Sequence, residues 1–228
     1  LQVRPAGLYC VPGDFYIDPH RKVDRAVITH GHADHARAGH GHVLTSPETA
    51  AIMRVRYGKN CAGTFQNLSP GAWVDHFGVR VGLVPAGHVL GSCQIVLEFG
   101  GWRVVASGDY KRASDPTSTD FEVAPCDVFI TEATFGLPVF VHERSEDEIA
   151  KLMASLHTFP TRTHVMAAYS LGKAQRLIAE LRAAGYDAPI YLHTAHQRLC
   201  QLYRDFGIDL GPLLGVEKAA STDLSGHI

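Results

Sequence analysis

The stretch Thr29-His30-Gly31-His32-Ala33-Asp34-His35 sets three imidazoles and a carboxylate within six residues, directly after an apolar run. Val23, Ala26, Val27 and Ile28 read as a buried strand that ends at Thr29, so the polar cluster must sit on the turn at the strand's carboxyl end. Side chains on a turn anchored by a rigid strand converge at small entropic cost. Imidazole with carboxylate suits zinc, manganese or iron, and His-x-His-x-Asp-His offers two ligands to each of two neighbouring ions. A solvated polar turn is the competing reading in a chain with 14 histidines. Motifs further along decide against it.

With 228 residues, 46% of them hydrophobic, the chain can bury a substantial core in one or two domains. No apolar run reaches the length of a membrane span and no basic-then-apolar leader opens the sequence, so no membrane association is expected. Cys10, Cys61, Cys93, Cys126 and Cys200 lie far apart without a Cys-x-x-Cys pair, which points to buried thiols in a reducing compartment, by default the cytoplasm. The net charge of −2 gives no global footprint for nucleic acid and counts against an architectural DNA-binding protein. It does not count against an enzyme whose metals and a few local cations attract one phosphate backbone.

The first half carries short strand-like runs at Gly7–Cys10, Phe15–Asp18, Ala26–Thr29, Val79–Val84, Gln94–Phe99, Arg103–Ser107 and Val128–Thr131. Between them, Pro47–Tyr57 reads as a helix capped by Ser46, with Pro47 in the first turn and Glu48 favouring the dipole. That texture predicts a sheet sandwich with helices on its outer faces. From about residue 140 the pattern changes. A helix over Ser145–His157, with Ser145 and Glu148 as a capping box, precedes strand His164–Tyr169, helix Lys173–Ala184, strand Pro189–His193 and helix Ala195–Phe206. Strands alternating with helices imply a parallel α/β unit, giving an expected division into 1–140 and 141–228. Gly215–Ile228 is weakly patterned, and two strand–helix steps are few for such a unit, so it is expected to be incomplete at its C-terminal end.

Three further motifs each arrive at the end of a strand-like run: Pro85-Ala86-Gly87-His88-Val89-Leu90-Gly91-Ser92, Ser107-Gly108-Asp109-Tyr110 and Thr131-Glu132-Ala133-Thr134-Phe135-Gly136. Glycines flanking His88 and Asp109 let the backbone approach a ligand closely. In order with the His-x-His-x-Asp-His turn, these motifs resemble the metallo-β-lactamase superfamily. More narrowly, Thr131–Gly136 and Tyr169-Ser170-Leu171-Gly172-Lys173-Ala174-Gln175 resemble its nucleic-acid-processing branch with an inserted β-CASP domain. Pro5–Cys10, Gly13–Pro19 and Gly108–Arg112 are similar to the bacterial ligase-associated DNA exonucleases of that branch. The resemblance implies an α/β fold: a metallo-β-lactamase αββα sandwich over 1–140 and a partial β-CASP-like insertion over 141–228.

It also implies that His30, His32 and His88 hold one divalent ion, Asp34 and His35 a second, and that Asp109 bridges them, with zinc, manganese or iron as the metal. Two dications need a shared anion to offset their repulsion, which agrees with that allocation. Asp34 would also orient or deprotonate the attacking water, and Asp18 is a candidate acceptor for a ligand imidazole. Glu132 is the family's partner of a later general-acid histidine. That histidine and a final histidine ligand belong to motifs beyond the insertion: His193 and His196 come too early, and His227 lacks their sequence context. Lys111 and Arg112 follow Asp109 closely and are expected to grip substrate. Ser170, Gly172 and Lys173 open a helix whose free amides favour phosphate. Phe135 suits core packing or the stacking of a terminal base.

The function expected from the resemblance is a binuclear metal-dependent DNA exonuclease, working from 5′ ends in repair, with a free DNA end as substrate and an ATP-dependent ligase and a helicase as partners. The alternatives are the same chemistry on RNA, hydrolysis of a small thioester or lactam, and a non-catalytic, metal-stabilised repair scaffold.

Overall fold

The computed structural model describes residues 1–221 and 224–228, which fall into two compact units, Leu1–Glu132 and Ala133–Ile228. In the first unit, β1 (Gln2–Arg4), β2 (Gly7–Cys10), β3 (Phe15–Ile17), β4 (Arg25–Val27) and β5 (His40–Thr45) precede helix α1 (Pro47–Tyr57), and β6 (Ala62–Asn67) follows it. These six strands form one sheet in chain order, antiparallel from β1 to β3 and parallel from β3 to β6. The second sheet holds β7 (Trp73–His76), β8 (Val79–Pro85), β9 (Cys93–Phe99), β10 (Trp102–Ala106) and β11 (Val128–Ile130). It is an antiparallel meander closed by a parallel β10–β11 pair.

Alternation along these strands makes the sandwich. Phe15, Ile17, Val27 and Leu44 of the first sheet pack against Val79, Val81, Leu83, Ile95 and Leu97 of the second, all of them buried. Each such side chain contributes about 1.5–3 kcal/mol by leaving water. The opposite face of the first sheet, through Ala26, Ile28 and Val43, buries Met53 of α1.

Helix α1 starts where predicted. Ser46 Oγ accepts from the Thr49 amide at 3.1 Å and donates to the Gly91 carbonyl at 2.7 Å, so the cap also fastens the helix to the loop that carries His88. Ser46→Ala should cost about 1–2 kcal/mol, read as a lower urea midpoint with an unchanged slope.

The second unit holds α2 (Ser145–Thr158), α3 (Lys173–Ala183), β12 (Ile190–Leu192), α4 (Thr194–Asp205) and β13 (Leu213–Gly215), followed by a 3₁₀ turn at Val216–Ser221. Strands β12 and β13 pair in parallel, and the Arg182 guanidinium ties the surrounding loops by donating to the carbonyls of Tyr186, Ala188, Leu210 and Pro212.

Several expectations need correction. The run His164–Tyr169 forms no strand: the His164 amide bonds the His227 carbonyl and the Tyr169 carbonyl takes the Ala174 amide, with no ladder between, and Val165, Met166 and Tyr169 are exposed. Apolar alternation gives a strand only where a neighbour supplies the ladder. Ser145 is not the cap of α2. The cap position is Arg144, whose side chain makes no capping bond, so the Ser145–Glu148 capping box does not form. The strand before the histidines stops at Val27 rather than Thr29, although the Ile28 amide still bonds the Leu44 carbonyl at 3.0 Å. Sequence reading missed β1, β5, β6, β7 and β13. The expected weak pattern of Gly215–Ile228 gives way to β13 and the 3₁₀ turn, with residues 222 and 223 outside the described residues. No helix among the described residues is long and apolar enough to cross a membrane.

Candidate metal centre

The carboxyl ends of β4, β8, β10 and β11 lead directly into the four motifs. Beyond β4 the chain turns sharply through Gly31, where a Cβ would stand 2.6 Å from Ile52 of α1, so only glycine lets this turn lie against the helix. Arg56 of α1 donates to the Gly31 carbonyl at 2.8 Å and pins the turn between His30 and His32. On the second sheet, Ser92 Oγ accepts from the amides of His88 and Val89 at 2.9 and 3.1 Å, which fixes the His88 turn.

These supports bring four ligand atoms from His30, His32, His88 and Asp109 within 4.8 Å of one another. His32 Nδ1 lies 3.0 Å from His30 Nε2 and 3.1 Å from His88 Nε2; Asp109 Oδ2 lies 3.7 and 3.6 Å from the same two nitrogens. A tetrahedral ion with bonds of about 2.0–2.1 Å would put its ligands about 3.3 Å apart. The observed edges bracket that value, so the donor set fits a divalent metal.

The electrostatics agree. Burial, followed by the neighbouring imidazoles, holds His30 well below its usual range. Burial and His32 bring His88 down to about 4, against the pull of Asp109. Both are neutral at pH 7 and offer lone pairs, the form a metal requires.

Asp109 faces two ways. Its Oδ1 is 3.4 Å from His35 Nε2, whose ring lies 4.2 Å from that of His30 between centroids. His35 Nδ1 is 2.8 Å from Asp18 Oδ2. Burial opposes charge on His35, but its bonds to Asp109 and Asp18 outweigh that and raise it to about 10. The same His35 bond holds the Asp109 carboxyl low despite burial.

The other sequence-derived residues fall in distinct places. Asp34 lies outside the four-residue group, its carboxylate largely exposed and 3.8 Å from His35 Nε2. Glu132, just past β11, is near enough to favour charge on His88. Lys111 Nζ donates to Asp115 Oδ2 and the Ser114 carbonyl, both at 3.2 Å, so it braces its own loop; Arg112 is exposed. In the second unit, Lys173 is exposed at the start of α3, and the Ser170 carbonyl accepts from Gln175. Gln175 Oε1 also takes the Gly172 amide at 2.8 Å, which occupies one donor expected to face phosphate. Phe135 is exposed and packs on Phe140 and His142 rather than in a core. Sequence reading missed Thr29, Arg56 and Ser92. Ser92 was visible as the polar end of the His88 motif, while Arg56 carries no local signal.

The Metallo-beta-lactamase superfamily model matches residues 18–155. A "Probable DNA ligase" of Opitutus terrae is 30% identical, with 97% of this chain and 21% of that protein covered. "Endoribonuclease YSH1" of Mycosarcoma maydis is 30% identical over 78% of this chain and 25% of its own length. "Cleavage and polyadenylation specificity factor subunit 3" of Dictyostelium discoideum is 31% identical over 58% of this chain and 18% of its own length. The chain thus spans a quarter or less of these curated relatives. A crystal structure of a protein of unknown function from Enterococcus faecalis V583 shares the fold, with a TM-score of 0.55 and 12% identity over 81% of this chain and 49% of that one. The relatives are consistent with the β-CASP branch that Thr131–Gly136 and Tyr169–Gln175 resemble. On the matched family model and the histidine–aspartate cluster together, the chain belongs to the metallo-beta-lactamase superfamily.

Proposed function

We propose that this chain belongs to a binuclear metal-dependent exonuclease that degrades DNA from 5′ ends in repair, alongside a ligase and a helicase. One observation carries the reading: the Asp109 carboxylate turns Oδ2 to His30 and His88 and Oδ1 to His35. That is the disposition a bridging ligand needs, with His30, His32 and His88 on one ion and His35 and Asp34 on the other. Divalent ions held there, zinc or alternatively manganese or iron, would supply an activated water and offset charge on the phosphate.

The chain's own residues divide the remaining work. Asp34, exposed beside His35, accepts the proton of the attacking water. Glu132 orients a proton donor for the leaving oxygen, a role supported by its place just past β11. Arg112 meets the phosphate backbone, with Lys111 holding the loop that presents it. Ser170 and Lys173 are the candidate contacts from the second unit. The division of the chain near residue 140 into a metallo-β-lactamase part and a β-CASP-like insertion belongs to the same reading. So does a cytoplasmic location, supported by five free thiols.

The relative named a DNA ligase supports DNA; those named endoribonucleases support RNA as the second reading. Purified protein given 5′- and 3′-end-labelled DNA and RNA, with each metal in turn, separates them. Mononucleotide release from one end of DNA is the expected result. Internal cleavage of RNA alone would favour the second reading, and no cleavage of either polymer, with metal bound, would favour the scaffold.

A further inference from the structure

Thr29 is buried where the chain leaves the first sheet, and its backbone is held on both sides. Its amide donates to Asp18 Oδ1 at 2.8 Å, and its carbonyl accepts from the Cys93 amide at 2.9 Å. The side-chain hydroxyl meets two groups, Asp18 Oδ2 at 2.5 Å and His30 Nδ1 at 3.0 Å.

A hydroxyl has one hydrogen to give. Asp18 already accepts from the Thr29 amide and lies 2.8 Å from His35 Nδ1. With an amide hydrogen on Oδ1 and two further groups on Oδ2, the Asp18 carboxylate is the acceptor of this cluster. The Thr29 hydrogen consequently goes to Asp18, and the short separation is that of a charge-assisted bond. Toward His30 the hydroxyl presents only a lone pair. His30 must then carry its hydrogen on Nδ1, leaving the Nε2 lone pair aimed at the space it shares with His32, His88 and Asp109. Asp18 also accepts the Nδ1–H of His35, whose Nε2 faces Asp109 Oδ1.

Gly108 adds a third connection. At φ 55° it packs so closely on Thr29 that a Cβ would stand 2.6 Å from Thr29 Oγ1. The turn that delivers Asp109 thus rests on the same side chain.

We propose that Thr29 is a positioning residue that sets the ligand tautomer of His30 and, through the Asp18 carboxylate it shares with His35, links the two imidazoles, so that one hydroxyl–carboxylate relay orients both halves of the metal centre. The inference rests on the reading that the cluster holds metal. Thr29→Val keeps the shape but leaves the His30 Nδ1–H without an acceptor and Asp18 one donor short. Thr29→Ser keeps the hydroxyl and loses only a methyl group.

The test is Co²⁺ binding to the full chain, followed by chelator competition and by the visible spectrum of the bound ion. Thr29→Val should bind about 10- to 100-fold more weakly, with an altered spectrum, while Thr29→Ser stays close to the parent protein. Thr29→Val binding as tightly as the parent, with the same spectrum, would overturn the relay. So would equal weakening in both variants, which would mark a packing role. A parent protein that takes up no Co²⁺ would overturn the metal reading itself, and the relay with it. Should Thr29→Val fail to fold, long-range ¹⁵N–¹H correlation in the metal-free parent decides: His30 protonated on Nδ1 is expected, and protonation on Nε2 refutes the proposal.

Discussion

Replacing Asp109 with alanine is expected to reduce phosphodiester hydrolysis by about 10³-fold or more, with the fold retained. Asp109 turns Oδ2 to His30 and His88 and Oδ1 to His35. Two dications brought together without a shared anion repel strongly in a partly buried site. The substitution also removes one of the two carboxylates that hold His35, leaving Asp18. Asp109→Asn keeps the shape but not the charge, and should fail nearly as badly. Single-turnover rates on end-labelled DNA, with circular dichroism as the folding control, check both variants. Activity of Asp109→Ala within tenfold of the parent would rule out a bridging role.

Gly87→Ala should destabilise the chain by about 2–4 kcal/mol without touching a ligand. Gly87 sits at φ 71°, where any Cβ costs about 1–2 kcal/mol. Here that Cβ would also overlap the Lys111 carbonyl oxygen and stand 2.9 Å from the Phe121 amide nitrogen. Both are backbone atoms, so no side chain can swing aside, and overpacking of this kind costs a further 1–3 kcal/mol or so. The Lys111 amide bonds the Ala86 carbonyl at 2.9 Å, so the strain falls on the link between the His88 turn and the Asp109 loop. A urea midpoint unchanged from the parent would show that this loop gives way more easily than its packing implies.

The metal cluster was legible because its residue types are rare at that spacing and each motif closes a strand. Thr29–His35, His88 and Asp109 are local signals, and the sandwich brings His30, His32, His88 and Asp109 together. The division of labour within the cluster was not local. Only the fold shows that Asp34 stands outside the four-residue group, that Lys111 is engaged by Asp115, or that Gln175 occupies the Gly172 amide. Among the strands, those missed are the ones whose residues conceal the pattern. His40-Gly41-His42 opens β5 with no β-formers, and Ala62–Asn67 is largely exposed and polar. Their pairing comes from neighbours, β4 beside β5 and β5 beside β6. The converse error at His164–Tyr169 has the same origin, since a sequence cannot display the absence of a partner strand.

The central claim is a two-ion centre bridged by Asp109, and metal analysis tests it most directly. The parent chain and Asp109→Ala are equilibrated with Zn²⁺ or Mn²⁺, freed of unbound ions and assayed for metal per chain. Two ions are expected in the parent and no more than one in the variant. A parent chain that retains none, or a variant that keeps two, would contradict that claim.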